Sequence, residues 1–197
     1  MLLAPVSVDH PHAGNAVGIR DKLKAATAVA HHALDERLSG FDLTARAHYR
    51  RFLQASAAAL LPLEAALRKA GVAAMFEDWP LRTRSTAITA DLNQLGGTVN
   101  LLPVPSEPLG RCGVLGTLYV LEGSRLGAAY LMRVAAASAD PRVRAATRYL
   151  CHGSGQGLWR GFLDRLEREP MSADDERTTI VSAQQAFALF AKAVEAA

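Results

Sequence analysis

Cysteine is scarce in this 197-residue chain. The two present, Cys112 and Cys151, lie far apart and form no C-x-x-C pair, so neither a disulfide framework nor a cysteine-built zinc site is indicated. A reducing cytoplasmic setting fits that usage. Charge of one sign is also lacking: 22 Lys and Arg stand against 19 Asp and Glu, a net charge of +3. That balance points to no nucleic acid and no membrane surface as partner. No stretch is long and apolar enough to span a bilayer, and Pro5 cuts short the opening apolar run, which has no basic residues before it. None of the six histidines follows a glutamate at Glu-x-x-His spacing, so a carboxylate-bridged di-iron bundle has no ligand set. Neither cysteine has an assignable base, and no internal repeat suggests a solenoid.

What the chain does contain is helical periodicity, reinforced by abundant alanine. The pattern predicts an all-α fold in a single domain over 17–197, preceded by a loose tail over 1–16 that carries Pro5, His10, Pro11, His12 and Gly14. Helices are expected over about 18–38, from Asp42 or Thr44 to Gly71 with a kink or split at Pro62, and over 84–95. A connector is expected around Trp79 and Pro80, and a loop at Pro103, Pro105 and Pro108. One long helix over 113–137, a short one over 142–151, and two more over 158–168 and 173–196 complete the pattern.

Two of these helices stand out. On the first, Leu23, Lys24, Thr27, His31, Leu34 and Leu38 share a face, which turns His31 inward and leaves His32 beside Glu36. Asp35, one turn on, could accept the second ring N–H of His31 and fix its tautomer. A hydrogen-bonded core histidine and an axial ligand to haem iron both fit this pattern. On the long helix, Gly116, Gly123 and Gly127 form a stripe. Each glycine costs a helix interior about 1 kcal/mol relative to alanine. Either close helix packing or a flat object against bare backbone accounts for the stripe.

The run Leu23-Lys24-Ala25-Ala26-Thr27-Ala28-Val29-Ala30-His31 resembles the proximal-helix motif of haem oxygenases. Leu118-Tyr119-Val120-Leu121-Glu122-Gly123-Ser124-Arg125-Leu126-Gly127 is similar to the distal-helix motif of their bacterial members, most closely the biliverdin-producing enzymes found beside bacteriophytochromes. Asp91-Leu92, Leu95-Gly96, Gly157-Leu158-Trp159 and Ala186-Phe187 extend the likeness over nearly the whole chain from residue 18.

The resemblance implies a haem oxygenase, with haem as substrate and cofactor together, held between the His31 helix and a distal helix kinked at 123–127. His31 would be the iron ligand, while Gly123, Ser124 and Gly127 would line the oxygen side. The family's reaction uses O2 and electrons from a separate ferredoxin- or flavoprotein-type donor, and yields biliverdin, carbon monoxide and free iron. Lys24, with Arg160 or Arg165, would meet the propionates; Thr27, Asp35, Tyr119 and Phe187 would flank the macrocycle or its ligand. Ser124 stands where animal members carry an aspartate that organises water. A bacteriophytochrome taking up the biliverdin is a further implied partner, and a non-enzymatic haem-binding or degenerate interaction protein on the same fold is the competing reading.

Overall fold

Alanine and leucine fill most of 55–67, and in the structure, a computed structural model, this stretch lies inside α2 (Arg46–Lys69). Its buried face carries Tyr49, Phe52, Leu53, Leu60, Leu63 and Leu67. Before it comes α1 (Ile19–Ser39), and after it the single turns α3 (Val72–Met75) and α4 (Trp79–Arg82), then α5 (Ser85–Leu95). The second half holds α6 (Arg111–Gly123), α7 (Arg125–Ala136), α8 (Pro141–Ala145), α9 (Arg148–Cys151), α10 (Leu158–Arg168) and α11 (Ala173–Glu195). The structure describes residues 18–104 and 107–197; the tail expected over 1–16, with its two histidines, and Pro105 lie outside the described residues. No strand occurs among the described residues.

Pro62 does not split α2. A proline inside a helix orphans the carbonyl four residues back, here that of Ala58, and the backbone N–H of Leu102 donates to it at 3.1 Å. The loop after α5 thus supplies the hydrogen bond that the helix lacks, and the helix runs on. The long helix expected over 113–137 is broken at Ser124 into α6 and α7, inside the 123–127 segment where the resemblance implies a kink and at a Gly123-Ser124 pair. The segment expected as one helix over 142–151 forms α8 and α9, and the Trp79 connector is itself the turn α4.

Helix α11 is the hub: it packs against α6, α1 and α2. Its start is secured by a capping box in which Ser172 and Asp175 exchange hydrogen bonds. Its approach to α6 is close because Gly116 has no side chain. A Cβ there would press on the Thr179 carbonyl and lie 2.8 Å from Ser182 Cβ. Helix α1 lies along α11, tied by Lys22 to Glu176 at 2.7 Å, Arg37 to Glu195 at 2.7 Å, and Gln184 Nε2 donating to the Ala26 carbonyl. A row of aromatic rings, Phe76, Phe162, Trp159 and Tyr119, crosses the interior from α3 through α10 to α6, with centroids 5.5–6.0 Å apart.

Candidate functional site

The amphipathic face of α1 buries Ile19, Leu23 and Thr27, with Leu34 and Leu38 packed at the core's edge. At His31, between these turns, the side chain is 62% exposed. The histidine read as inward from periodicity is therefore an exposed residue of α1. Its ring meets Phe187 of α11 edge-on at 5.8 Å, and no core side chain closes over its outer edge, so helical period alone overstates its burial. Nδ1 of His31 lies 2.9 Å from Asp35 Oδ2, as the i+4 spacing predicts. The Nε2 atom makes no hydrogen bond to any described residue. His32 is turned away and pairs with Glu36 at 3.2 Å.

One chain of contacts leads from this helix to the α6–α7 junction. Thr27 is buried and donates to the Leu23 carbonyl at 2.7 Å. Burial pushes the phenol of Tyr119 above its ordinary pKa, while a hydrogen bond with the Thr27 hydroxyl and the Arg20 charge act the other way. Tyr119 meets Trp159 at 5.5 Å, and the Trp159 ring lies 3.6 Å from where a Gly123 Cβ would stand.

The three glycines of the stripe have separate surroundings. Gly116 serves helix packing. Gly123 faces Trp159, and at Gly127 a Cβ would meet nothing within 4 Å. Next to Gly127, Leu126 and Tyr130 are the exposed large side chains of α7. Ser124 donates to the Leu121 carbonyl at 2.8 Å and accepts from Arg84 Nη1 at 3.0 Å.

The two arginines of α10 also separate. Arg160 shares a face with Glu167, two turns on, and Glu167 lies 3.8 Å from Arg20 of α1. Arg165 turns the other way and sits over the Phe76 ring at 4.7 Å. Lys24 is exposed on the same stripe of α1 as His31, two turns earlier.

Sequence reasoning missed a set of buried charges around the junction. Arg82 bonds Glu122 at 3.0 Å, and both are almost wholly buried. Arg125 bonds Glu122 at 3.0 Å and the carbonyls of Arg82 and His152. Glu64, deep in α2, accepts from the backbone N–H of Arg84 at 2.7 Å and of Ser85 at 3.0 Å, and from the Thr83 and Ser85 hydroxyls. It is thereby a carboxylate cap for α5. The available signal was the appearance of Glu64 and Glu122 at apolar positions of their helices, which demands buried partners.

A family model described as "Heme oxygenase" matches residues 18–196. Over 181 residues the chain is 31% identical to Heme oxygenase PigA of Pseudomonas aeruginosa, spanning 88% of this chain and 90% of that protein. This chain belongs to the haem oxygenase family. It is also 31% identical over 112 residues to a heme oxygenase of Xanthomonas campestris, spanning 57% of this chain and 67% of the relative. The fold matches the heme oxygenase of Neisseria meningitidis, in a structure described as NO- and CO-bound, with a TM-score of 0.75 at 23% identity over 92% of each chain. That of Leptospira interrogans matches with a TM-score of 0.69 at 17% identity, over 92% of this chain and all of the other.

The residues of this haem oxygenase chain fit a haem. A histidine whose Nδ1 is occupied by a carboxylate and whose Nε2 is free has the donor set of an axial ligand with a fixed tautomer. At Gly127 the backbone is exposed and a Cβ would meet nothing, so a flat group can approach it. Among the described residues no helix is long and apolar enough to cross a membrane.

Proposed function

We propose that this chain acts as a haem oxygenase, opening haem with O2 and reducing electrons to biliverdin, carbon monoxide and free iron. The observation that carries the reading is the exposed His31, with Nδ1 held by Asp35 and Nε2 without a hydrogen bond among the described residues. When bound, haem supplies the redox-active iron, and its own ring is what is oxidised.

The protein's part is to bind, orient and exclude. His31 Nε2 would hold the iron, and Asp35 keeps the proton on Nδ1 and orients the ring. Phe187 supports the imidazole edge. Thr27 and Tyr119 set the spacing between α1 and α6, and the aromatic row behind Tyr119 keeps that end dry. Gly127, where a Cβ would meet nothing, would leave room for a diatomic ligand, while Gly123 is backed by the Trp159 ring and Ser124 presents a hydroxyl at the same turn. No acid–base histidine stands on the glycine segment itself, which disfavours peroxidase-like O–O cleavage in favour of ring attack. Lys24 and Arg160 meet the propionates at the mouth; Arg165, engaged with Phe76, is the weaker candidate of the two arginines. Electrons come from a ferredoxin- or flavoprotein-type reductase in the cytoplasm, and a bacteriophytochrome is the proposed acceptor of biliverdin.

Hemin added to the purified protein should give a six-coordinate, histidine-ligated ferric spectrum. The His31→Ala variant should lose it and His32→Ala should keep it; equal losses would refute the assignment. Reductant and O2 should then replace the Soret band by biliverdin absorption with release of carbon monoxide. A ferrous or oxy complex that persists would instead mark a haem-binding protein without turnover.

A further inference from the structure

The charge of the chain is nearly balanced overall and lopsided at one corner. Arg46, Arg50, Arg133, Arg142, Arg144 and Arg148 lie on the start of α2, the last turns of α7 and the α8–α9 segment. The stretches 42–50 and 133–148 hold no lysine and no glutamate. Contacts gather these arginines. Arg46 lies 3.8 Å from Asp140. Arg144 Nη1 donates to the Ser138 and Ala139 carbonyls just past α7, and Ser138 donates to the Thr44 carbonyl. Gln94, near the end of α5, accepts from Arg148 and donates to the Arg142 carbonyl. The Arg50 stem lies 3.2 Å from where a Gly97 Cβ would stand.

Little of this charge is neutralised. Among the described residues, Arg50, Arg133, Arg142 and Arg144 have no carboxylate in ion-pair contact. Asp140 and Asp91 serve Arg46 and Arg148, and Asp42 is engaged by the Thr44 amide and hydroxyl. Set against those three aspartates, the six arginines leave a surplus of three positive charges, as many as the net charge of the whole chain. By contrast α1 and α11 pair their charges with each other, Lys22 with Glu176 and Arg37 with Glu195. Clustered like charges repel, and a guanidinium fork matches a carboxylate, so this corner is complementary to acidic groups it does not itself contain.

The corner also runs into the candidate site. Leu126, Tyr130 and Arg133 share one face of α7, at spacings of four and three, and that face starts beside Gly127. Leu126 is 66% and Tyr130 63% exposed, and Arg133 lies over the Tyr130 ring at 6.0 Å. Tyrosine and arginine around an apolar centre form the composition of a protein–protein interface. A strip of this size suits a brief encounter, as electron carriers make, rather than a permanent assembly.

We propose that the corner formed by the start of α2, the outer face of α7 and α8 docks an acidic electron-carrier protein. Arg50, Arg133, Arg142 and Arg144 draw in its carboxylates, and Leu126 and Tyr130 form the apolar centre of the contact. That the partner carries electrons rests on the haem oxygenase reading above; that it is an acidic protein stands on the surface alone.

The test uses the full chain without hemin, and a [2Fe–2S] ferredoxin of net negative charge as probe. Binding followed by surface plasmon resonance should weaken by about tenfold or more between low and physiological salt, as screening of exposed charges requires. The double variant Arg50→Glu, Arg142→Glu should bind about tenfold more weakly, mainly through slower association. Neither side chain makes an ion pair among the described residues, and an unchanged circular dichroism spectrum checks that the variant is folded. Tyr130→Ala should instead speed dissociation. Arg68→Glu, about 33 Å along α2 from Arg46, should leave affinity within about twofold of wild type. With hemin, the double variant should raise KM for the ferredoxin with kcat unchanged, and turnover driven by ascorbate should not alter. No binding by wild type, equal losses in Arg68→Glu and the double variant, or tighter binding of duplex DNA or phosphatidylserine vesicles than of the ferredoxin would each overturn the proposal. A chain that binds the ferredoxin through these arginines yet never turns over haem would remove the haem reading and keep the acidic docking surface.

Discussion

Gly116 and Gly127 occupy one helical stripe in the sequence yet meet opposite surroundings, so alanine should have opposite effects at the two. At Gly116 a methyl must displace the Thr179 carbonyl and Ser182, and such overpacking costs about 1–3 kcal/mol. A lower melting temperature for Gly116→Ala is the expected result. At Gly127 the methyl enters open space, and exchanging glycine for alanine in a helix adds about 1 kcal/mol. Gly127→Ala should melt at or above wild type. Gly127→Leu should remain folded but weaken hemin binding by about tenfold or more if a flat ligand uses that backbone, as a fluorescence-quenching titration would show.

At the scale of the element, α11 bears the most weight because α1 and α6 both lie against it and it carries Phe187 beside His31. Its first turn is secured by the Ser172 and Asp175 box. Loss of such a cap costs about 1 kcal/mol, so Ser172→Ala should lower the midpoint of thermal unfolding followed by circular dichroism. The same turn has an acid signature. The Cys112 thiol, then the amide and hydroxyl of Ser172 and the Arg111 charge hold Asp175 down to about 2, against an ordinary 3.8. A depressed carboxylate stabilises the fold above its unfolded value and loses that contribution as pH falls through the folded one. Stability should therefore drop between about pH 4 and pH 2, and Asp175→Asn should flatten the profile in that window.

At the scale of the molecule, α2, α4, α6, α7 and the turn after α9 are joined through the charged cluster beneath the junction. Breaking a buried ion pair from one side leaves the other charge without its partner, at a cost of about 3–5 kcal/mol. Glu122→Gln should lower the urea midpoint by much more than Glu36→Gln, which touches only an exposed histidine pair. This cluster is also the part of the protein that sequence reading left out. Helix α10 falls where periodicity and capping place it, and α1, α5 and α11 do so to within a residue, because their signals are local. The partners of Arg84 are 37 and 40 residues away in the chain, and no spacing rule links them.

The sequence by itself determined an all-helical chain, a histidine with an acceptor one turn on, and a glycine stripe, since each depends on the 3.6-residue period and short-range sterics. Tertiary packing alone decided which glycine serves α11 and which faces open space, and that the His31 ring stands exposed. Those outcomes depend on what other elements bring to the same place.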